Sequence, residues 1–194
     1  MGELRKGAVE SAIHDGDVLM GGRRAEAEEW VVLKDGSEVF VRPVRPEDKD
    51  LLTELVAGLS EESRHRRFML TITYLPDRKL AQLTELDHHD SEALLALDTE
   101  RGRKCLGVSR YTGLMGTDVR VAEVAAVVAD AWQGRGLARV LVERLIERAR
   151  AEGVERLVAL VRKSNRQALR LFEKQLGFGR RGIESGLVEL EMEL

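Results

Sequence analysis

The 194-residue sequence predicts an α/β fold with an antiparallel meander at its centre. Three observations carry that expectation. Between Ala93 and Val128 three apolar, strand-like runs follow one another at short spacing. Gly136 to Ala151 then places Leu137, Val140, Leu141, Leu145 and Ala149 on one helical stripe, and Arg139, Glu143, Glu147 and Arg150 on another. Leu157 to Val161 is unbroken apolar chain, as expected of a buried central strand.

Taken in order, residues 1–30 are weakly patterned, rich in Gly and charge clusters, and read as a loosely ordered arm with a short strand at Val18–Met20. The domain proper is expected over residues 31–194. Trp30–Leu33 is a strand, Lys34-Asp35-Gly36-Ser37 a tight turn, and Glu38–Val44 the returning strand. Arg45-Pro46-Glu47-Asp48 opens a helix bearing Leu51, Leu52, Leu55 and Val56, which Gly58 stops. Ser60-Glu61-Glu62 opens a second, through Phe68. A third follows Pro76 with Leu80, Leu83 and Leu86. Strands are expected at Ala93–Leu97, Cys105–Tyr111 and Val119–Val128. After the long helix and the strand at Leu157–Val161, Ser164 with Gln167 reads as a capping box. The helix it opens turns Ala168, Leu171, Phe172 and Leu176 inward and ends at Gly177, and two short strands close the chain.

Composition narrows the class of protein. Hydrophobic residues make up 43% and charged residues 34%, which excludes a disordered chain. One cysteine, Cys105, excludes a disulfide scaffold and reads as inert packing. No apolar run is long enough to span a membrane, and no secretory signal opens the chain, so a cytoplasmic location is expected. The net charge is −3, but Gln133 to Arg170 holds ten Arg or Lys against four acids. That surplus of six leaves −9 elsewhere, a pattern that fits a local anion site or a solvated basic helix face better than a nucleic-acid surface.

The chemistry concentrates at Val127-Val128-Ala129-Asp130-Ala131-Trp132-Gln133-Gly134-Arg135-Gly136-Leu137-Ala138-Arg139. Two glycines two apart lie between a strand and an amphipathic helix. Glycine allows close approach of a ligand to backbone, and a helix start offers unpaired N–H groups to an anion. Arg135 and Arg139 add charge. A nucleotide P-loop needs Lys then Ser or Thr after the second glycine, where Leu137 and Ala138 stand. A dinucleotide fingerprint needs a third glycine at Arg139. A pyrophosphate binder of another kind, or a plain strand–helix turn, remains.

Gln133-Gly134-Arg135-Gly136-Leu137-Ala138 resembles the Q/R-x-x-G-x-G/A acyl-CoA signature of the GNAT acyltransferase superfamily. Asn165 to Phe178 resembles that family's second motif: an Asn, an Ala three residues on, and a closing Gly177-Phe178. The order of elements matches from Glu38 to Leu194. Arg42 to Asp48, Leu59 to Arg64 with Arg67-Phe68, Leu86 to Leu97 and Ala122 to Ala125 resemble the GNAT domains of bacterial protein-lysine acetyltransferases.

The resemblance implies a mixed, mostly antiparallel twisted sheet flanked by helices. The strands of Glu123 and Val158 would be its parallel pair, splaying to admit acyl-CoA. It implies acetyl-CoA as co-substrate, no metal, and an amine acceptor, with a protein lysine first. A small-molecule amine, or a catalytically degenerate acyl-CoA-binding sensor, is the alternative. Neither nucleic acid nor membrane is an expected partner, and the chain is expected as a monomer or homodimer. A lysine amine with pKa near 10.4 is neutral in roughly one molecule in a few thousand at pH 7, so a base is needed. Glu123, a charge inside an apolar strand, fits that role; a salt-bridged or solvent-facing glutamate is the other reading. The backbone of Val127, Val128 and Ala129 would meet the pantetheine arm and the developing oxyanion. Gln133, Gly134, Arg135, Gly136, Leu137, Ala138 and Arg139 would hold the pyrophosphate. Asn165 would touch the CoA arm or simply cap its helix. Phe172 stands where many members carry a tyrosine that protonates the leaving thiolate. Arg64, Arg66 and Arg67 read as a helix face able to steer an acidic substrate region. Asp87-His88-His89-Asp90 reads as an acceptor-side loop, not a metal cluster, since adjacent histidines in extended chain face opposite ways.

Overall fold

The computed structural model describes residues 28–69, 74–98, 104–116 and 119–194. The strand expected at Val18–Met20 and most of the arm lie outside them. Eight strands form one sheet in the order β1-β2-β3-β4-β5-β6-β8-β7. They are β1 (Glu29–Val32), β2 (Glu38–Pro43), β3 (Ser91–Asp98), β4 (Cys105–Gly113), β5 (Val121–Val128), β6 (Arg156–Arg162), β7 (Gly179–Glu184) and β8 (Leu187–Glu193). Thus β1 opens at Glu29, inside the stretch assigned to the arm. β3, β4 and β5 form the expected antiparallel meander, and β1 and β2, joined by the Asp35-Gly36 turn where Gly36 has φ +83°, extend it antiparallel beside β3.

Among the described residues the single parallel pairing is β5 with β6, and it is short. Val121, Ala122 and Glu123 pair with Arg156, Leu157 and Val158. Beyond Glu123 the rest of β5 pairs with β4 alone, and the rest of β6 with β8 alone. The sheet therefore parts immediately after Glu123 and Val158, as the resemblance implied.

The helices are α1 (Lys49–Gly58), α2 (Glu61–Phe68), α3 (Asp77–Thr84), α4 (Leu137–Ala151) and α5 (Arg166–Leu169). The sheet's alternation sorts them into two layers. One face packs on α4, burying Leu94, Leu106, Tyr111, Leu141, Leu145, Leu157 and Leu190. The other packs on α1 and α3, burying Leu52, Leu55, Leu80, Leu95 and Val127. Cys105 lies in this second layer, 2% exposed, and burial pushes its thiol up to about 12. A buried ion pair pins the entry to α1: Arg42 meets both carboxylate oxygens of Asp48 at 2.7 Å, and Asp48 also accepts the Arg45 N–H at 2.7 Å.

Four local expectations are corrected. Leu86 lies beyond the end of α3, because the helix stops at Thr84. The cap of α5 is Asn165, not Ser164; its side chain accepts the Ala168 N–H at 3.1 Å. After one α-turn the chain widens into a π-helix over Arg170–Gln175, which turns Leu169 and Phe172 fully inward and leaves Leu171 and Leu176 half-buried. Finally, β6 is covered on one face only. Leu157, Ala159 and Val161 are buried, but Leu160 is 41% exposed, because its side looks into an open cavity.

Candidate active site

The parting of β5 from β6 leaves one edge of β5 without a neighbour strand, and parity decides which residues face it. The Ala129 N–H donates to Leu106 O at 2.8 Å, across β4. In an antiparallel ladder, residues two apart point their amides the same way. Ala129 and Val127 therefore turn their backbone groups to β4. The tight approach of Val127 O to Gly107 agrees with that direction. Ala126 and Val128 turn theirs to the gap. Of the three residues expected there, Val128 faces it through its backbone. Val127 lines it without offering its amide, and Ala129 is engaged elsewhere. Ala126 was not anticipated; the strand's register, invisible in sequence, selects it.

The gap opens into a cleft of about 340 Å³ between β5, the start of α4, α2 and α5. Gly134 and Gly136 form its floor in left-handed conformations, φ +78° and +94°. No side chain crowds a Cβ at Gly134, and at Gly136 the nearest atom is Lys34 Cγ at 3.8 Å. The glycines are thus required by backbone angle. Gly136 is the N-cap of α4 without a side-chain cap, and Val140 is the first residue to bond back, to Gly136 O at 3.1 Å. The N–H groups of Leu137, Ala138 and Arg139 stand in the first turn, where no carbonyl precedes them. The cleft wall carries Lys34, Arg66, Arg67, Arg139 and Arg170, and no carboxylate lines it among the described residues. Unpaired amides, a helix start and five cations suit a phosphorylated ligand.

Two expected phosphate ligands have other work in their side chains. The Gln133 amide donates to Val128 O and Ser63 Oγ, both at 3.1 Å, so it braces the end of β5. Arg135 turns away to Asp35 at 3.1 Å, and its guanidinium lies 4.8 Å over the Trp132 ring. Arg139 lines the cleft while paired with Glu143 at 2.7 Å. Beside them, Asp130 accepts the Ser60 N–H at 2.7 Å and the Ser63 hydroxyl at 2.6 Å, tying α2 to the loop after β5. Burial opposes its charge, but the hydrogen bonds from Ser63 and Ser60 outweigh that and hold its carboxyl below the usual range. Ser60 was legible only as a helix cap, which it also is.

A second, larger cavity of about 1070 Å³ lies on the α1–α3 face and meets the first at Arg66, Arg67, Ala126, Asn165, Ala168 and Phe172. Glu123 lines it, opposite Thr112 on β4 and Val158 on β6. The carboxylate is exposed and makes no ion pair or hydrogen bond with a described residue; Arg67 and Arg110 act on it through space. Phe172 is buried at the junction, its ring edge-on to Phe178 at 5.0 Å. Neither Arg110 nor Arg162, both on this cavity, was singled out in sequence. The ring nitrogens of the His88-His89 stretch are engaged by carboxylates, His88 Nδ1 with Glu92 at 2.9 Å and His89 Nδ1 with Glu152 at 2.8 Å, and no metal-binding group of three is found among the described residues.

A sheet parted between its parallel strands β5 and β6, with a bare helix start at one mouth of the gap and a carboxylate at the other, defines a protein of the acyl-transferring GNAT class. The model of the acetyltransferase (GNAT) family matches residues 54–178, and the chain belongs to that family. It is 36% identical over 155 residues to acetyltransferase PA5475 of Pseudomonas aeruginosa, spanning 79% of this chain and 82% of that protein. Among solved structures, the GNAT domain of S. lividans PAT superposes with a TM-score of 0.78 at 32% identity, covering 86% of this chain and 97% of that domain. The acetyltransferase yncA of Salmonella typhimurium, determined with its cofactor acetyl-CoA, shares the fold with a TM-score of 0.66 at 24% identity, over 80% and 94% of the two chains.

Proposed function

We propose that the chain moves an acetyl group from acetyl-CoA to an amine by direct attack, with a protein lysine as the acceptor. The observation that carries this reading is the position of Glu123. It stands where β5 and β6 part, on the larger cavity, which meets the glycine-floored cleft. In this mechanism the first-turn N–H groups of α4, with Gly134 and Gly136, bind the pyrophosphate, and Arg139 and Lys34 add charge. Asn165 borders the acyl-carrying arm while capping α5. The gap-facing amides of Ala126 and Val128 align that arm and polarise the thioester carbonyl. Glu123 takes the ammonium proton, directly or through water. The amine nitrogen bonds the carbonyl carbon, the C–S bond breaks, and the nitrogen's second proton passes through water toward the departing thiolate. With a thiol pKa near 8.5, water suffices to reprotonate it, which accommodates Phe172. The reaction would run in the cytoplasm; among the described residues no helix is long and apolar enough to cross a membrane.

The test gives labelled acetyl-CoA and a cell extract to wild-type and Glu123→Gln protein and follows label by mass spectrometry. Discrete lysines labelled by wild type alone support the reading and name the substrate. Label confined to small amines moves the acceptor to that class. Tight acetyl-CoA binding without any transfer converts the protein into a sensor.

A further inference from the structure

The larger cavity holds an imbalance of charge that amine chemistry alone does not use. Four guanidinium groups border it; Arg66 is paired with Glu62, which leaves those of Arg67 at the end of α2, Arg110 on β4 and Arg162 on β6. None of these three has an ion pair among the described residues. Arg110 reaches only Gln82 O, and Arg162 only Met69 O, each at 3.4 Å. Arg67 lies 5.2 Å over the Phe68 ring and donates to no described group. Arg162 Nε is the one buried side-chain polar atom without a partner among the described residues. The acids on the same wall do not compensate. Glu85 is held by Lys49 at 2.5 Å, and Asp87 accepts the N–H groups of His89 and Ser91. Among the acids only Glu123 remains, so three guanidinium groups and the Lys79 ammonium face one anion among the described residues.

A half-buried guanidinium without a counter-ion is costly unless a ligand completes it. Burial, and then the nearness of Arg110, lower the Arg67 pKa to about 10. A carboxylate suits the vacancy, because it takes two parallel N–H bonds from one guanidinium. The register fixes where it would lie. Glu123 faces Thr112, and Arg110 is two residues along the same strand and on the same face. That diagonal spans roughly 7–8 Å, a few covalent bonds.

We infer that the acceptor carries a carboxylate close to its reacting amine, read by Arg110 and Arg162 while Glu123 receives the amine. The carboxylate belongs either to a free amino acid or to an acidic side chain flanking a target lysine. This inference rests on the acetyltransferase reading above. Arg67 also borders the cofactor cleft, so Arg110 and Arg162, which border the acceptor side alone, are the residues to test.

The experiment measures transfer to matched pairs: α-amino acids against their amides, and lysine peptides with flanking Glu against the same peptides with Gln. The carboxylate-bearing member of one pair type should have a kcat/KM at least roughly tenfold higher. Arg110→Gln and Arg162→Gln should abolish that preference, with the Kd for acetyl-CoA unchanged and Arg110→Lys restoring part of it. Preference in the first pair type identifies a free amino acid, and in the second a flanked lysine. Equal use within every pair, or a preference that survives both variants, overturns the inference and leaves the acetyltransferase reading intact. If wild type binds acetyl-CoA yet acetylates nothing, the acetyltransferase reading fails. Calorimetry with N-acetyl amino acids on CoA-loaded protein then decides the inference: binding lost in Arg110→Gln supports it, and no binding to wild type overturns it.

Discussion

Glu92 and Glu123 are both mid-sheet glutamates, two strands apart, and they face opposite sides. Glu92 looks toward α4, is 1% exposed, and is fully engaged: His88 Nδ1 at 2.9 Å, Arg148 Nη1 at 2.8 Å and the Ala93 N–H at 2.8 Å. Glu123 looks toward the larger cavity and has no such partner. A charge in a packed layer survives only when its hydrogen bonds are met inside the protein. A charge left without partners beside a cavity contributes little to stability and is available to a substrate. The two carboxylates therefore separate what holds this fold from what the fold presents.

That separation can be broken by experiment. The largest effect expected is on turnover: Glu123→Gln should lower kcat by about a hundredfold or more. Its thermal midpoint and acetyl-CoA Kd should match wild type, and a large loss of stability would show that Glu123 is structural after all. Glu92→Gln should do the reverse. Chemical denaturation should find it about 2–3 kcal/mol less stable, while kcat per folded molecule stays near wild type. Gly136→Val forces a branched side chain into φ +94° and should raise the Kd for acetyl-CoA with kcat less affected, as read by calorimetry. Phe172→Tyr adds a hydroxyl at the junction of the two cavities. If water already protonates the thiolate, kcat changes by less than about tenfold.

The smallest effect concerns pH. Asp130 has a folded carboxyl below its ordinary value, so it contributes stability above the unfolded value near ~3.9 and loses it as pH falls through the lower folded one. The stability gap between wild type and Asp130→Asn should be constant at neutral pH and vanish in acid. A gap that persists in acid would show that the Ser60 and Ser63 bonds do not depend on the charge.

Sequence patterning revealed elements better than faces. The meander, the helix after Gly136 and the α2 span from Ser60 to Phe68 were legible because period, cap and stop residues agree there. The splay after Glu123 was legible only through family resemblance, since pairing between distant strands leaves no local mark. Leu160 misled because an apolar strand looks alike whether its second face meets a helix or a cavity. Arg135 misled for a related reason: its position in the glycine loop is visible, but its attachment to Asp35, a hundred residues earlier, is not. Arg110 and Arg162 were missed because each is one charged residue in a strand, and only the sheet brings them to one cavity.

Cys105 gives the molecule a practical property. The chain holds one thiol, and it is sealed under α1 and α3 with its pKa pushed up to about 12. Toward maleimides near neutral pH the native protein behaves as if it contained no cysteine. Cysteines introduced at exposed Tyr74 and Ile183 would then be the only reactive ones. Paired fluorophores there would report the separation of the cavity's edge at Tyr74 from the sheet edge at β7 in solution, with and without acetyl-CoA, in an otherwise unaltered background.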